Sequence, residues 1–487
     1  MRVKSVQGTK KKCQPVTCRS LVGLHPAFEM PAGLLSSGGV GAWQENSSPG
    51  FEQFGTPSIA RAPTQRRMVR PSHSQCGLGE RVDRNRQIGS RFLTQLPSRL
   101  TVTCVLVVAG LIRPAFADEY DVFNVVVGAD ATYHSNIFAR PDFLNPQSDT
   151  ITKGYVGLRI DKPYGQQRFQ LDATANAYRY DKFSNLNFDG IDYGAAWLWH
   201  LTPRVNGTLK ASRTEVPTLF ADSIGQQRNV LTTEEYLFDL DGQISGGWHA
   251  LAGLSRRKED YELPQATALP SFTADRGEVG LKYLFPSGNW ISGVYRSIKG
   301  DYNNRLTDLV TFTSSGFDGY EVEGRGRWAL TGKSTLLGRL TYLDRTDDSF
   351  PQRNFSGTAG DLRFQWTPTT KLRYIYGAVR DISAYQTNFS SYRKTDTLLF
   401  TGNWQVTFKT ALSFRLSYSE VDFRGPVVAL STPERRDTER LARAGVRWAP
   451  TRTVELGADV QYNNRSSNNP FAAYDDTVVT LRGEVTF

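Results

Sequence analysis

From about residue 122 to the end of the chain, apolar and polar positions take turns. Phe169, Leu171, Ala173, Ala175 and Ala177 alternate with Arg168, Gln170, Asp172, Thr174 and Asn176. Leu412, Phe414, Leu416 and Tyr418 alternate with Ser413, Arg415, Ser417 and Ser419, and the same rhythm recurs at Asp361–Trp366, Val454–Asn463 and Val479–Phe487. A period of two with one apolar and one charged face predicts strands standing between two media. No pattern of helical period runs for more than a turn or two.

The strands are punctuated by two kinds of turn. Short signals stand at Pro163-Tyr164-Gly165, Thr202-Pro203-Arg204, Ser245-Gly246-Gly247, Pro286-Ser287-Gly288, Thr331-Gly332-Lys333, Pro368-Thr369-Thr370, Thr407-Phe408-Lys409 and Pro450-Thr451-Arg452. Long polar stretches lie between them, at 136–148, 184–188, 216–227, 261–271, 303–311, 346–354, 386–392, 425–436 and 464–472. Eight short turns and nine long loops separate 18 strands. The pattern predicts an all-β fold, a single antiparallel transmembrane β-barrel of about 18 strands with short periplasmic turns and long extracellular loops, built into the bacterial outer membrane. Slipping one strand by a residue would put its charges against lipid, at about 2–4 kcal/mol for each midplane arginine, so register is strongly specified.

Tryptophan sharpens this expectation. Trp197, Trp199, Trp248, Trp290, Trp328, Trp366, Trp404 and Trp448 each lie close to a short turn. Indole favours the membrane interface, so these eight are expected to form a girdle at one rim. Tyr178, Tyr180, Tyr342, Tyr418 and Tyr462 would form the opposite girdle. A soluble β-sandwich would alternate too, but would not confine tryptophan to one class of turn.

The same phase assigns an inner face. Arg168, Asp172, Arg325, Arg327, Arg339, Arg363, Arg373, Arg415, Arg443, Arg447, Glu455, Asp459, Arg482 and Glu484 are the pore-lining candidates, with Glu321, Glu323, Arg345 and Asp361 beside them. Arginine outnumbers acids in the second half of this set, whereas Arg159, Asp192, Lys210, Asp239 and Asp241 leave the first half balanced to slightly acidic. One reading is a solvated lumen whose charges pair across strands. The other is an arginine-rich face that attracts anions.

Net charge follows the same division. The chain carries +10, yet residues 1–117 hold 16 Lys or Arg against 5 Asp or Glu, and the remainder holds 42 against 43. The basic excess therefore belongs to the amino-terminal stretch and gives no ground for nucleic-acid binding. All four cysteines also precede residue 118. Arg91 and Arg99, the apolar run Leu100–Ile112 and Ala115-Phe116-Ala117 form a signal peptide over 91–117, with the mature barrel at 118–487. The apolar run is too short to span a bilayer. Residues 1–90 show no sustained periodicity and are expected to lie outside the mature protein, through a start assigned too far upstream or as a disordered stretch.

Candidate chemistry is sparse. His134, His200 and His249 are the histidines of the mature part, and none stands at metal-ligand spacing or in a nucleophile motif. Adjacent carboxylates such as Glu234-Glu235 and Asp475-Asp476 point to opposite faces of a strand. A protein without catalytic residue, cofactor or metal is expected, with an outer-membrane enzyme acting on lipid or glycan as the outlying alternative.

The runs Val125-Val126-Val127-Gly128-Ala129-Asp130, Ser135-Asn136-Ile137-Phe138, Gly154-Tyr155-Val156-Gly157 and Tyr178-Arg179-Tyr180 resemble the opening of the EpsL group of outer-membrane β-barrels. That group is associated with exopolysaccharide biosynthesis in exosortase-linked loci. The resemblance implies a channel taking part in exopolysaccharide export, with the polymer and periplasmic export components as partners. A general or anion-selective diffusion porin is the alternative. Outer-membrane lipid surrounds either. The terminal Phe487, with Val485, Leu481 and Val479, resembles the signal read by the barrel-assembly machinery.

Overall fold

The computed structural model describes residues 122–487 apart from 219, 223–224, 265–266, 304, 310 and 428–433. The expected signal peptide at 91–117, the residues before it, the cysteines and the start at Asp118 lie outside the described residues.

The alternating segments form β1 (Phe123–His134), β2 (Asp149–Tyr164), β3 (Gln167–Tyr180), β4 (Phe188–Thr202), β5 (Val205–Pro217) and β6 (Val230–Ser245). They continue as β7 (Trp248–Tyr261), β8 (Phe272–Leu284), β9 (Trp290–Tyr302), β10 (Gly316–Thr331), β11 (Ser334–Asp347) and β12 (Phe355–Thr369). The last six are β13 (Leu372–Thr387), β14 (Ser390–Gln405), β15 (Thr410–Arg424), β16 (Arg436–Trp448), β17 (Val454–Ser467) and β18 (Tyr474–Thr486). Each strand pairs antiparallel with its chain neighbours, and β1 also pairs with β18, so the 18-stranded sheet closes on itself. Closure leaves no unpaired edge, which is what a sheet needs in hydrocarbon. At the seam, the amides of Val125 and Phe487 each donate to the other's carbonyl at 2.9 and 2.8 Å. The barrel is an integral outer-membrane protein.

Register sorts the side chains. Val156, Leu254, Leu340, Leu398 and Leu481 stand exposed on one phase, toward lipid. Asp130, Arg296, Glu323, Arg339 and Thr397 are buried on the other, toward the lumen. Trp197, Trp199, Trp248, Trp328, Trp366, Trp404 and Trp448 all fall on the lipid-facing phase.

Three expectations are corrected. Trp290 is in phase with Ser292 and Arg296 and faces Arg327, on the lumen side. The five-residue turn 285–289 brings Phe285 into the girdle instead, where its ring lies between Tyr283 and Trp328 at 4.8 and 5.2 Å. Tyr178 and Tyr180 are lumen-facing and buried, because Ala177 and Arg179 hold the outer phase. Tyr342, Tyr418 and Tyr462 do face outward. The stretch 386–392 is no long loop: β13 and β14 run on until two residues, 388–389, join them.

Candidate functional site: the lumen

All fourteen pore-lining candidates fall on the inner phase, yet they do not form one constellation. Most are held by a neighbour one or two strands away. Arg168 donates twice to Asp161 at 2.7 and 2.5 Å. Arg159 bridges Asp172 and Glu484, at 3.2 Å to each. Arg482 meets Asp130 at 3.1 Å, Arg447 meets Glu455 at 2.9 Å, and Arg443 meets Asp459 at 2.7 Å. Arg363 forks onto Asp361 at 2.9 and 2.8 Å. Arg373 donates to Gln365 at 3.2 Å, and Arg327 faces Leu337 across β11.

A denser network lies on β8–β11. Arg296 donates to Glu278 at 2.9 and 2.5 Å and to Glu321, and stands 3.7 Å from Glu323. Arg325 also binds Glu323, with Arg339 at 3.4 Å and the Thr341 hydroxyl donating at 2.9 Å. Glu278 and Arg296 were absent from the sequence candidates. The signal was there: Glu278 alternates with Val279 and Leu281, and Arg296 with Tyr295 and Ser297.

The arginines concentrate on one wall. Arg363, Arg373, Arg415, Arg443 and Arg447 follow one another on β12, β13, β15 and β16. Asp239 and Asp241 on β6 stand half the circumference away from β15. Asp241 is already held there by Lys282 and His249.

The extracellular end is narrowed by its own loops. Phe138, from the loop after β1, meets Phe183 at 4.7 Å and Phe220 at 4.8 Å, over buried Tyr178 and Leu186. Ala268 and Leu269, from the loop after β7, pack with Tyr261 against Tyr385, Val421 and Phe423 of β13 and β15. The Gln386 amide donates to the Ala268 carbonyl at 3.1 Å, and Arg305 to the Gln386 side chain at 2.6 Å. Arg465 on β17 reaches the Ala221 carbonyl of the loop after β5, at 3.2 Å. These contacts join strands far apart around the wall, so the loops lie across the opening. Burial holds the Arg305 and Arg353 guanidinium groups below their ordinary value.

The histidines lie in three separate places. His134 Nδ1 is 2.8 Å from Asp476 near the mouth, and His249 Nδ1 is 2.6 Å from Asp241. Asp241 also meets Lys282. His200 lies at the end of β4, its carbonyl accepting from Gln167 at 2.8 Å.

No family model matches the chain, and no curated protein matches it. Among solved structures the barrel is similar to the outer membrane protein OpdK from Pseudomonas aeruginosa (TM-score 0.43, 12% identity, covering 76% of this chain and 100% of that one). It is similar to OccK9 (OpdG) of the same organism (TM-score 0.46, 14% identity, 75% and 98% covered). It is also similar to OccAB3 of Acinetobacter baumannii (TM-score 0.45, 9% identity, 75% and 99% covered). The expectation of exopolysaccharide export is corrected. The mouth of this barrel is crossed by packed loops where a polymer chain would need a wide opening.

Proposed function

We propose that the barrel is a diffusion porin for small solutes with a preference for anions, and that it carries out no reaction. The observation that supports this is the run of five lumen-facing arginines on β12–β16. A guanidinium wall lowers the energy of an anion that has shed part of its hydration shell, and loop-narrowed mouths favour small solutes over chains.

The test is reconstitution into a planar bilayer under a potassium chloride gradient. The expected result is an ohmic current whose reversal potential favours chloride. A non-conducting barrel, or one selective for potassium, would overturn the proposal.

A further inference from the structure

Arg415 differs from the other arginines of the basic wall. Among the described residues no carboxylate pairs with it, and its Nε is buried without a hydrogen-bond partner. Arg443 sits directly opposite it across β15 and β16. Like charges in facing positions destabilise a sheet, so this arrangement costs stability as it stands.

The acids that could relieve it are already engaged. Asp459 receives Arg443 at 2.7 Å, and Asp361 receives Arg363 at 2.8 Å. Each pair is neutral, which leaves one positive charge in excess. Thr401 faces Arg415 on β14, Ser413 and Ser417 flank it on β15, Gly445 faces Ser413 on β16, and Leu399 and Leu441 stand on either side of Ser417. Hydroxyls of Thr401, Ser413 and Ser417 thus share the lumen face with the two facing guanidinium groups.

We propose that Arg415, with Arg443, forms a binding station for a small oxyanion, a phosphate or carboxylate group, inside the lumen. A planar guanidinium with unused donors matches two oxygens of such a group at once, and the ligand's charge removes the repulsion between Arg415 and Arg443. The inference rests on the porin reading only in requiring a water-filled lumen.

The test is calorimetric titration of inorganic phosphate into the protein purified from membranes in detergent micelles, which reads binding whether or not the barrel conducts. Wild-type protein should bind saturably. Arg415→Gln should weaken binding on the order of tenfold to a hundredfold, the share of a charge-assisted hydrogen bond. Arg415→Lys should recover part of the loss, having the charge without the fork. Arg440→Gln, on the lipid-facing phase, should leave binding unchanged. Heat-modifiable migration on gels checks that each variant is a folded barrel. No saturable binding by the wild type, or equal binding by Arg415→Gln, would overturn the proposal. Conduction without binding sinks the station alone, and binding without conduction sinks the porin reading alone.

Discussion

Asp130 on β1 and Arg482 on β18 face each other inside the lumen at the seam where the barrel closes, 3.1 Å apart. Lys153 on β2 stands opposite Asp130 on its other side. Both partners of the seam pair are largely buried, at 7% and 18% side-chain exposure. Arg482→Gln should therefore cost about 1.5–3 kcal/mol, the range for a hydrogen bond to a charged group. Asp130→Asn combined with Arg482→Gln should cost less than the sum of the two single changes, because the orphaned carboxylate is then gone. Urea unfolding from lipid vesicles measures all three, and strict additivity would mean that the pair contributes nothing to closure.

Most of the architecture was legible because the side-chain period of a strand is fixed at two. Once Leu412 or Phe169 is assigned to lipid, Arg415 and Asp172 must face inward, and every lumen candidate followed this rule. The rule holds at strand ends too, where nearness of an aromatic ring to a turn does not by itself place it in a girdle: Trp290 keeps the phase of Ser292 and Tyr178 that of Asn176. Trp290 follows the five-residue turn after β8, and Tyr178 stacks on Phe188 at 4.4 Å. Contacts around the circumference were not legible at all. That Leu269 would meet Phe423, or Arg465 the Ala221 carbonyl, depends on loop paths that no local pattern encodes.

Trp290 and Trp328 should report opposite media. Single-tryptophan proteins retaining Trp328 should be quenched by brominated lipid and little affected by a water-soluble quencher, since that ring lies on the outer phase. A protein retaining Trp290 should show the reverse. Equal quenching of both by lipid would place Trp290 back in the girdle.

The contact between the loop after β7 and the far wall should limit current. Leu269→Ala and Tyr385→Ala each remove apolar volume from the buried cluster that joins this loop to β13 and β15, a change that typically costs about 2–5 kcal/mol and loosens the loop's hold on the far wall. Single-channel conductance should rise in both variants, with the barrel itself intact. Unchanged conductance would move the narrowest point away from this cluster.

Asp348, in the loop between β11 and β12, should make that loop sensitive to pH. Burial, and then the carboxylates of Asp318, Asp347 and Asp301, push its carboxyl above the ordinary value. A raised acid contributes stability that is fully present below the unfolded pKa of about 3.9 and is lost as pH rises through the folded value. The loop should thus be held more firmly in acid than at neutral pH. Amide hydrogen exchange of Ser349, Phe350, Gln352, Arg353 and Asn354, corrected for intrinsic rate, should slow as pH falls, and Asp348→Asn should flatten that dependence. A pH-independent protection factor in the wild type would contradict it.

The network on β8–β11 should be the most expensive part of the lumen to disturb. Arg296 is only 4% exposed and is the one group that touches Glu278, Glu321 and Glu323 together. Arg296→Met leaves Glu321 without its guanidinium partner and weakens the hold on the other two. Breaking a buried pair by removing one partner costs about 3–5 kcal/mol. Removing Glu321 as well, as Arg296→Met with Glu321→Gln, should restore part of that loss, because the carboxylate left unpaired by the first change is gone. Unfolding from vesicles gives both numbers. A cost for Arg296→Met below about 1 kcal/mol, the scale of solvent-exposed pairs, would show that lumen water screens the network. Its arginines would then be as available to a passing anion as those on the neighbouring wall of β12–β16.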